Sequence, residues 1–155
     1  MIPQTKKRRS LIKKILIAGA VLLLAAAGAY WYYATETFAD TAKKKSAYTV
    51  DAQDFIEEFR LNDSLANKKY TDKIITVNGK VSEIETADTT VNIKFIDSAT
   101  GSYAIFAFQE QHVAEAKKVK VGDSISIKGS CSGGIYSEIL GTEFISFKRC
   151  ALNKH

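Results

Sequence analysis

The stretch KIITVNGKVSEIET, residues 73–86, decides the fold. From Ile75 the side chains alternate: Ile75, Val77, Gly79 and Val81 fall on one side, and Thr76, Asn78, Lys80 and Ser82 on the other. A period of two is the signature of a strand with one face in a core. The phase slips between Val81 and Ile84, and Gly79 stands in the middle of the run. Together they predict a bend or bulge that lets one strand serve both sides of a barrel.

Working outward from this strand, Thr90 to Asp97 alternates through Val91, Ile93 and Phe95, and Ala99-Thr100-Gly101-Ser102 reads as a turn into Tyr103 to Gln109. Glu110 to Val119 has helical character. A fourth strand follows through Ile125, Ile127, Gly129 and Cys131, and a fifth over about Glu143 to Leu152 carries Phe144, Ile145, Phe147 and Cys150. Three strands, a helix and two strands is the order of the OB-fold, a five-stranded, partly open barrel. Upstream, Ala52, Ile56, Phe59, Ala66 and Tyr70 recur at helical spacing with Phe55 beside them. A helix is expected from Asp51 to Tyr70, capped by Thr49 or Asp51 and distorted midway by Asn62-Asp63-Ser64. The fold class is therefore mainly β: a five-stranded OB-fold barrel preceded by an α-helix.

Charge separates this domain from what precedes it. The net charge is +5, yet Lys6, Lys7, Arg8, Arg9, Lys13 and Lys14 supply six of the 22 basic residues, and no acid appears before Glu36. The remainder balances 16 basic against 17 acidic residues, so the domain is not built as a basic surface for a polyanion. Residues 15–34, ILIAGAVLLLAAAGAYWYYA, carry no charge over 20 residues. At 1.5 Å per residue they span about 30 Å, the thickness of the bilayer hydrocarbon. The basic cluster before them and Tyr30, Trp31, Tyr32 and Tyr33 at their far end predict a cytoplasmic N-terminus and an outer, periplasmic domain on the inner (plasma) membrane. A cleaved signal peptide ending at Ala27-Gly28-Ala29 is the competing reading. The organisation is then a basic segment (1–14), a transmembrane helix (15–34), a linker (35–48) and an OB-fold domain (49–155).

The stretch Tyr48-Thr49, Phe59, Asn62-Asp63, Ala66-Asn67, Tyr70, Lys73, Val77, Gly79 and Val81, continued by Gly122-Asp123, Ile127-Lys128-Gly129 and Cys131 and closing at Cys150, resembles the tRNA-anti-like OB-fold family of exported bacterial proteins. Its most specific pieces are the Asn-Asp-x-x-Ala-Asn-x-x-Tyr helix and the paired cysteines. The resemblance implies the barrel and an exported location, and it assigns neither an activity nor a ligand. This chain departs from the family in carrying an N-terminal helix in place of a lipobox, and a long insertion, Gly133 to Thr142, between the last two strands. A hairpin turning near Leu140-Gly141 would set Cys131 opposite Cys150, and an exported domain lies where disulfides form, so a disulfide is expected, against the alternative of two small buried thiols.

Candidate sites are few. No catalytic grouping is apparent: no nucleophile elbow marks a serine, and no phosphate-cradling glycine loop occurs. His112 with Glu115 reads as a solvated helix face, and neither histidine has ligand-spaced partners, so no metal or cofactor is expected. Lys94, Phe95, Tyr103, Phe106 and Phe108 lie on the second and third strands, where OB-folds stack bases or sugars. Strand three is apolar on both faces, so at least half of these rings must be core. The function expected is a non-enzymatic, membrane-anchored binding module acting on an envelope protein. Oligonucleotide or oligosaccharide binding through the aromatic strands is the alternative, with nucleic acid the weaker partner. The bilayer itself is a partner through Ile15 to Ala34.

Overall fold

A computed structural model describes residues 5–34 and 39–154. The chain divides into two units, 1–39 and 40–155. The first is a single helix, α1 (Thr5–Ala34). Its stretch Ser10–Ala34 has a mean hydropathy of 2.1 and no buried residue, and is long and apolar enough to cross a membrane.

The second unit begins before the first strand. Asp40 caps a turn of 3-10 helix at Thr41–Lys43 by accepting from the Ala42 amide, and the Thr41 amide donates to the Gln109 side chain. Asp40 Oδ1 lies 2.7 Å from His112 Nε2, and Lys128 Nζ donates to the Lys44 carbonyl. Strand β1 (Tyr48–Asp51) runs straight into α2 (Ala52–Leu61), capped by Asp51 through the Gln53 amide. The helix expected to be continuous to Tyr70 is broken at Asn62. That residue is extended (φ −159°, ψ 92°), and its side chain accepts from the Leu65 amide, opening a second helix, α3 (Asp63–Tyr70). An Asn side chain that captures an amide competes with the helix it sits in, which explains the break.

The residue 73–86 strand is two strands, β2 (Ile74–Lys80) and β3 (Glu83–Thr86). The switch is abrupt: the Val81 amide donates to Asp123, and the next amide, Ser82, donates to Lys94. Gly79 does not mark the bend. It stands where a Cβ would come within 2.8 Å of Ala52 Cβ and 2.9 Å of the Phe95 ring, so α2 can lie close across β2. The remaining elements are β4 (Val91–Ile96), β5 (Tyr103–Phe108), a 3-10 turn (Glu110–His112) leading into α4 (Val113–Ala116), β6 (Ser124–Ser137) and β7 (Thr142–Leu152).

The five-stranded barrel needs correction. The strands form one mixed seven-stranded sheet in the order β1-β2-β6-β7-β5-β4-β3, and its hydrogen bonding does not close. The extra strand, β1, lies parallel to β2, with Tyr48 against Ile75 and Asp51 against Asn78. Parallel neighbours need a crossover of a dozen or more residues, and α2–α3 supplies it. What stands is an OB-like arrangement of a mixed sheet and helices. Its core takes Phe55, Phe59 and Tyr70 from the helices, Ile75 and Val77 from β2, and Ile93, Phe95, Phe106, Ile145 and Phe147 from β4, β5 and β7.

Two further expectations change. Residues 133–142 are not a loop insertion: Gly133 to Ser137 extend β6, β7 starts at Thr142, and only 138–141 form the turn. Cys131 and Cys150 are both free and buried. Pairing Ser137 with Thr142 centres the turn between Ile139 and Leu140, one residue earlier than a Cys131–Cys150 pair requires. A bulge then sets Cys131 against Phe147, while Cys150 Sγ occupies the space that a side chain at Gly129 would need, 2.5 Å from its ideal Cβ. Burial pushes the Cys131 thiol up to about 11 and the Cys150 thiol well above its ordinary value, so neither is a reactive thiolate.

Candidate functional site

The sheet has an inner and an outer face, and the alternation assigns each expected site residue to one of them. On β4, Val91, Ile93 and Phe95 are buried, and on β5, Ala104, Phe106 and Phe108. Phe95 packs on Phe106 at 5.1 Å between ring centres, and Phe106 stacks on Phe147 at 4.6 Å. Phe95, Phe106 and Phe108 therefore belong to the core. Lys94 and Tyr103 lie on the outer face.

Register builds that face into a row. Ile96 pairs with Tyr103, Tyr103 with Phe144, and Phe144 with Ile135, so one apolar line crosses four strands, β4, β5, β7 and β6. The Tyr103 and Phe144 rings stack at 6.2 Å with 22° between their planes. Phe144 was legible in the sequence through the alternation of Phe144, Ile145, Ser146 and Phe147, of which the even pair faces out. Lys94 Nζ sits 5.4 Å from the Tyr103 ring centre, but it also lies 2.6 Å from Glu85 Oε1 and 3.6 Å from Glu83 Oε1. The hydrogen bond to Glu85 raises the Lys94 ammonium and lowers the Glu85 carboxyl relative to their ordinary values. Lys94, the cation over the Tyr103 ring, is thus neutralised by two acids.

The second feature lies where the α2–α3 break meets the β6–β7 hairpin. Asn67 grips the hairpin with both ends of its amide: its Nδ2 donates to the Gly134 carbonyl at 3.0 Å, and the Gly134 amide donates to its Oδ1 at 2.8 Å. A Cβ on Gly134 would lie 2.5 Å from the Phe59 ring and 2.8 Å from Glu143 Oε1, so a glycine is required for the hairpin to seat. Gly133 beside it has φ +104°, a conformation that costs an L side chain strain. The hairpin in turn carries Glu143, paired across the ladder with Tyr136.

Glu143 is 1% exposed, and its Oε1 has no hydrogen-bond partner among the described residues. Burial pushes its carboxyl above the ordinary value, and the charge of Asp63 adds to this. Glu143 lines a cavity of about 560 Å³ together with Arg60, Leu61, Asn62, Asp63 and Tyr136. Beyond it the hairpin tip is apolar and open to solvent: Ile139 is 96% exposed and Leu140 71%, with Leu61 at 78% on the helix side. The alternation of β7 puts Glu143 on the inner face with Ile145 and Phe147, and nothing in its residue type foretells a carboxyl there.

A larger depression of about 620 Å³, lined by Asp51, Asn78, Lys80, Ser124, Ser126 and Lys154, holds no comparable group. Asn78 Oδ1 lacks a partner there, but Asn78 is only half-buried, and Asp51, Lys80, Ser124 and Lys154 are exposed. His112 is paired with Asp40, and Glu115 with Lys154 at 2.6 Å, so the two do not act together. Among the described residues no group of three or more His, Cys, Asp or Glu is placed to hold a metal ion.

Relatives place this arrangement. A Klebsiella pneumoniae lipoprotein, described provisionally as nucleic acid-binding, is similar in structure with a TM-score of 0.53 and 17% identity, over 68% of this chain and 91% of its own. At that identity the likeness speaks to the fold. A Leishmania major aspartyl-tRNA synthetase, itself a provisional assignment, matches with a TM-score of 0.44 and 10% identity over 76% of this chain and 22% of its own. An Entamoeba histolytica asparaginyl-tRNA synthetase reaches 0.35 and 15% over 52% and 20%. No curated protein sequence matches. The family comparison is decisive, because its match runs over residues 6–140, most of the chain: the protein belongs to the tRNA_anti-like family.

Proposed function

We propose that this protein is a non-enzymatic interaction module, anchored by α1 with its N-terminus in the cytoplasm, whose OB-like domain contacts another protein of the envelope. The observation that carries the reading is the exposed apolar tip of the β6–β7 hairpin, Ile139 and Leu140. Exposed apolar patches rimmed by polar groups mark protein contacts more often than they mark polyanion sites. The charge balance of residues 35–155 and the neutralised Lys94 favour the same conclusion.

The stacked pair Tyr103 and Phe144 favours a second reading, since OB-folds place such rings under the bases of single strands. The Klebsiella relative has been ascribed nucleic acid binding, which extends to this chain only as a proposal. Phosphate recognition would need free cations around the rings, and binding would then weaken steeply with salt.

The test uses the full chain in membranes. Affinity capture should retrieve a discrete protein with the natural sequence and lose it with the pair Ile139→Asp and Leu140→Asp, while labelled single-stranded oligonucleotide shows no salt-dependent binding. Oligonucleotide binding abolished by Tyr103→Ala, with no protein retrieved, would overturn the reading in favour of the second. Protease digestion of sealed vesicles reports the orientation, and an externally inaccessible domain in right-side-out vesicles would contradict it.

A further inference from the structure

We infer that Lys43, Lys44 and Lys45 form a second membrane contact, in which their ammonium groups dock on the phosphate headgroups of anionic phospholipid in the bilayer that holds α1. This rests on the anchored reading above and adds to it a contact made by the domain itself.

The three lysines stand on a segment that the domain fixes in place. Thr41 is 1% exposed, and its amide donates to the Gln109 side chain. The 3-10 turn that follows lies on β6 and β7. Lys128 Nζ, reaching up from β6, donates to the carbonyls of Ala42 at 3.3 Å and Lys44 at 2.9 Å, and so clamps the backbone on both sides of Lys43. Ser46 Oγ shares a hydrogen bond with Thr76 Oγ1, and the Ala47 amide donates to the Ile74 carbonyl. The backbone of residues 40–47 is thus a strap across the sheet. Binding through it orders less chain than binding through a free linker, because folding has already ordered it.

Charge then selects the partner. Lys43, Lys44 and Lys45 are all exposed, and among the described residues none of them forms an ion pair. The acid at the start of the strap, Asp40, is taken by the Ala42 amide and by His112. Elsewhere Lys69, Lys94 and Lys154 are each held by a carboxylate. Without the strap lysines, residues 35–155 set 13 basic residues against 17 acidic ones. The strap is therefore a positive patch on a domain that is otherwise net acidic, and an anionic surface attracts the one while repelling the other.

Chain length decides which anionic surface. Nine residues separate Ala34, the last residue of α1, from Lys43, which is a reach of at most about 30 Å. The lipid surface is always within that reach, whereas a soluble polyanion must be recruited from solution, so the tether gives headgroups the higher effective concentration. Between exposed charges at physiological salt the attraction fades beyond about 8 Å, so it acts only when the strap lies at the headgroups.

The experiment places the full chain, ¹⁵N-labelled, in nanodiscs of phosphatidylcholine alone or mixed with phosphatidylglycerol, each doped with a lipid that carries a nitroxide on its headgroup. Relaxation of the Ala42 to Lys45 amides by the nitroxide should be about tenfold stronger in the mixed discs. It should fall to the phosphatidylcholine level in high salt, and likewise in the combined variant Lys43→Gln, Lys44→Gln and Lys45→Gln, whose β6 and β7 amide positions report that it is folded. Equal relaxation in the two lipids, or relaxation that survives the combined variant, would overturn the inference. So would inorganic phosphate, or a single-stranded oligonucleotide, that shifts these amides in phosphatidylcholine discs while the mixed discs leave them unmoved. The α1 amides separate the two readings: relaxed in both lipids with the strap unaffected, they sink this inference alone, and unrelaxed in both, they sink the anchor and the inference with it.

Discussion

Two parts of the domain treat charge in opposite ways. On the outer sheet face, Lys94 lies within 4 Å of two carboxylates beside the stacked aromatic pair. At the helix–hairpin corner, Glu143 is buried with an oxygen that accepts nothing. The first is a surface whose electrostatics are settled internally. The second is a local rule broken in an otherwise consistent fold, and such violations concentrate where a protein binds. The difference teaches that the fold settles the charge of a half-exposed lysine with neighbours yet leaves one buried carboxyl oxygen without any among the described residues.

The largest effect that tests the contrast lies beneath the sheet face. Phe106→Ala should cost about 3 to 5 kcal/mol in urea unfolding, since the ring is fully buried between Phe95 and Phe147. A loss under 1 kcal/mol would return Phe106 to the ligand face. Next comes the grip on the hairpin. Asn67→Ala strands both the amide and the carbonyl of Gly134, each worth about 1 to 3 kcal/mol when left unpaired, and the same measurement reads it.

Glu143→Gln should move stability the other way. The folded chain holds the Glu143 proton more tightly than the unfolded chain, because burial first and Asp63 second raise its carboxyl above 4.5. The stability it costs is therefore absent below pH 4.5 and grows as pH rises through the raised value. Unfolding measured against pH should show Glu143→Gln more stable by about 1 to 3 kcal/mol at neutral pH, with the gain vanishing in acid. A loss at neutral pH would mean that the carboxylate is satisfied inside the chain. The smallest effect belongs to the sheet face: Lys94→Met should change stability by about 1 kcal/mol or less, as partly exposed ion pairs do.

The alternation of residues 75–82 and 91–96 specified two of the strands, because a half-buried strand leaves a period of two, and the turn at Ala99-Thr100-Gly101-Ser102 marked the start of residues 103–108, which are apolar throughout. Asn62-Asp63-Ser64 foretold a disturbance in the helix, though not that Asn62 would cap a second helix outright. The parallel strand at Tyr48 to Asp51 was invisible: four residues carry no period, and only the α2–α3 crossover gives them a neighbour. The cysteine pairing failed by one residue of turn position, and that shift is enough to move Cys150 from Cys131 to Gly129. Glu143 faces inward by the alternation it shares with Ile145 and Phe147, a period legible in the sequence, although a carboxyl at an inner position was not expected. Of the expected site, Lys94 and Tyr103 lie on the outer face, and Phe95, Phe106 and Phe108 lie in the core, within the expectation that at least half of these rings must be core.

The account turns on which of the two regions meets the partner. Photo-crosslinking from p-benzoylphenylalanine placed in the full chain, at Leu140 in one version and at Ile105 on the sheet face in another, compares them directly in living cells. A discrete protein adduct from position 140, and none from position 105, is the predicted result. Adducts from position 105 alone, or with nucleic acid in place of protein, would contradict it.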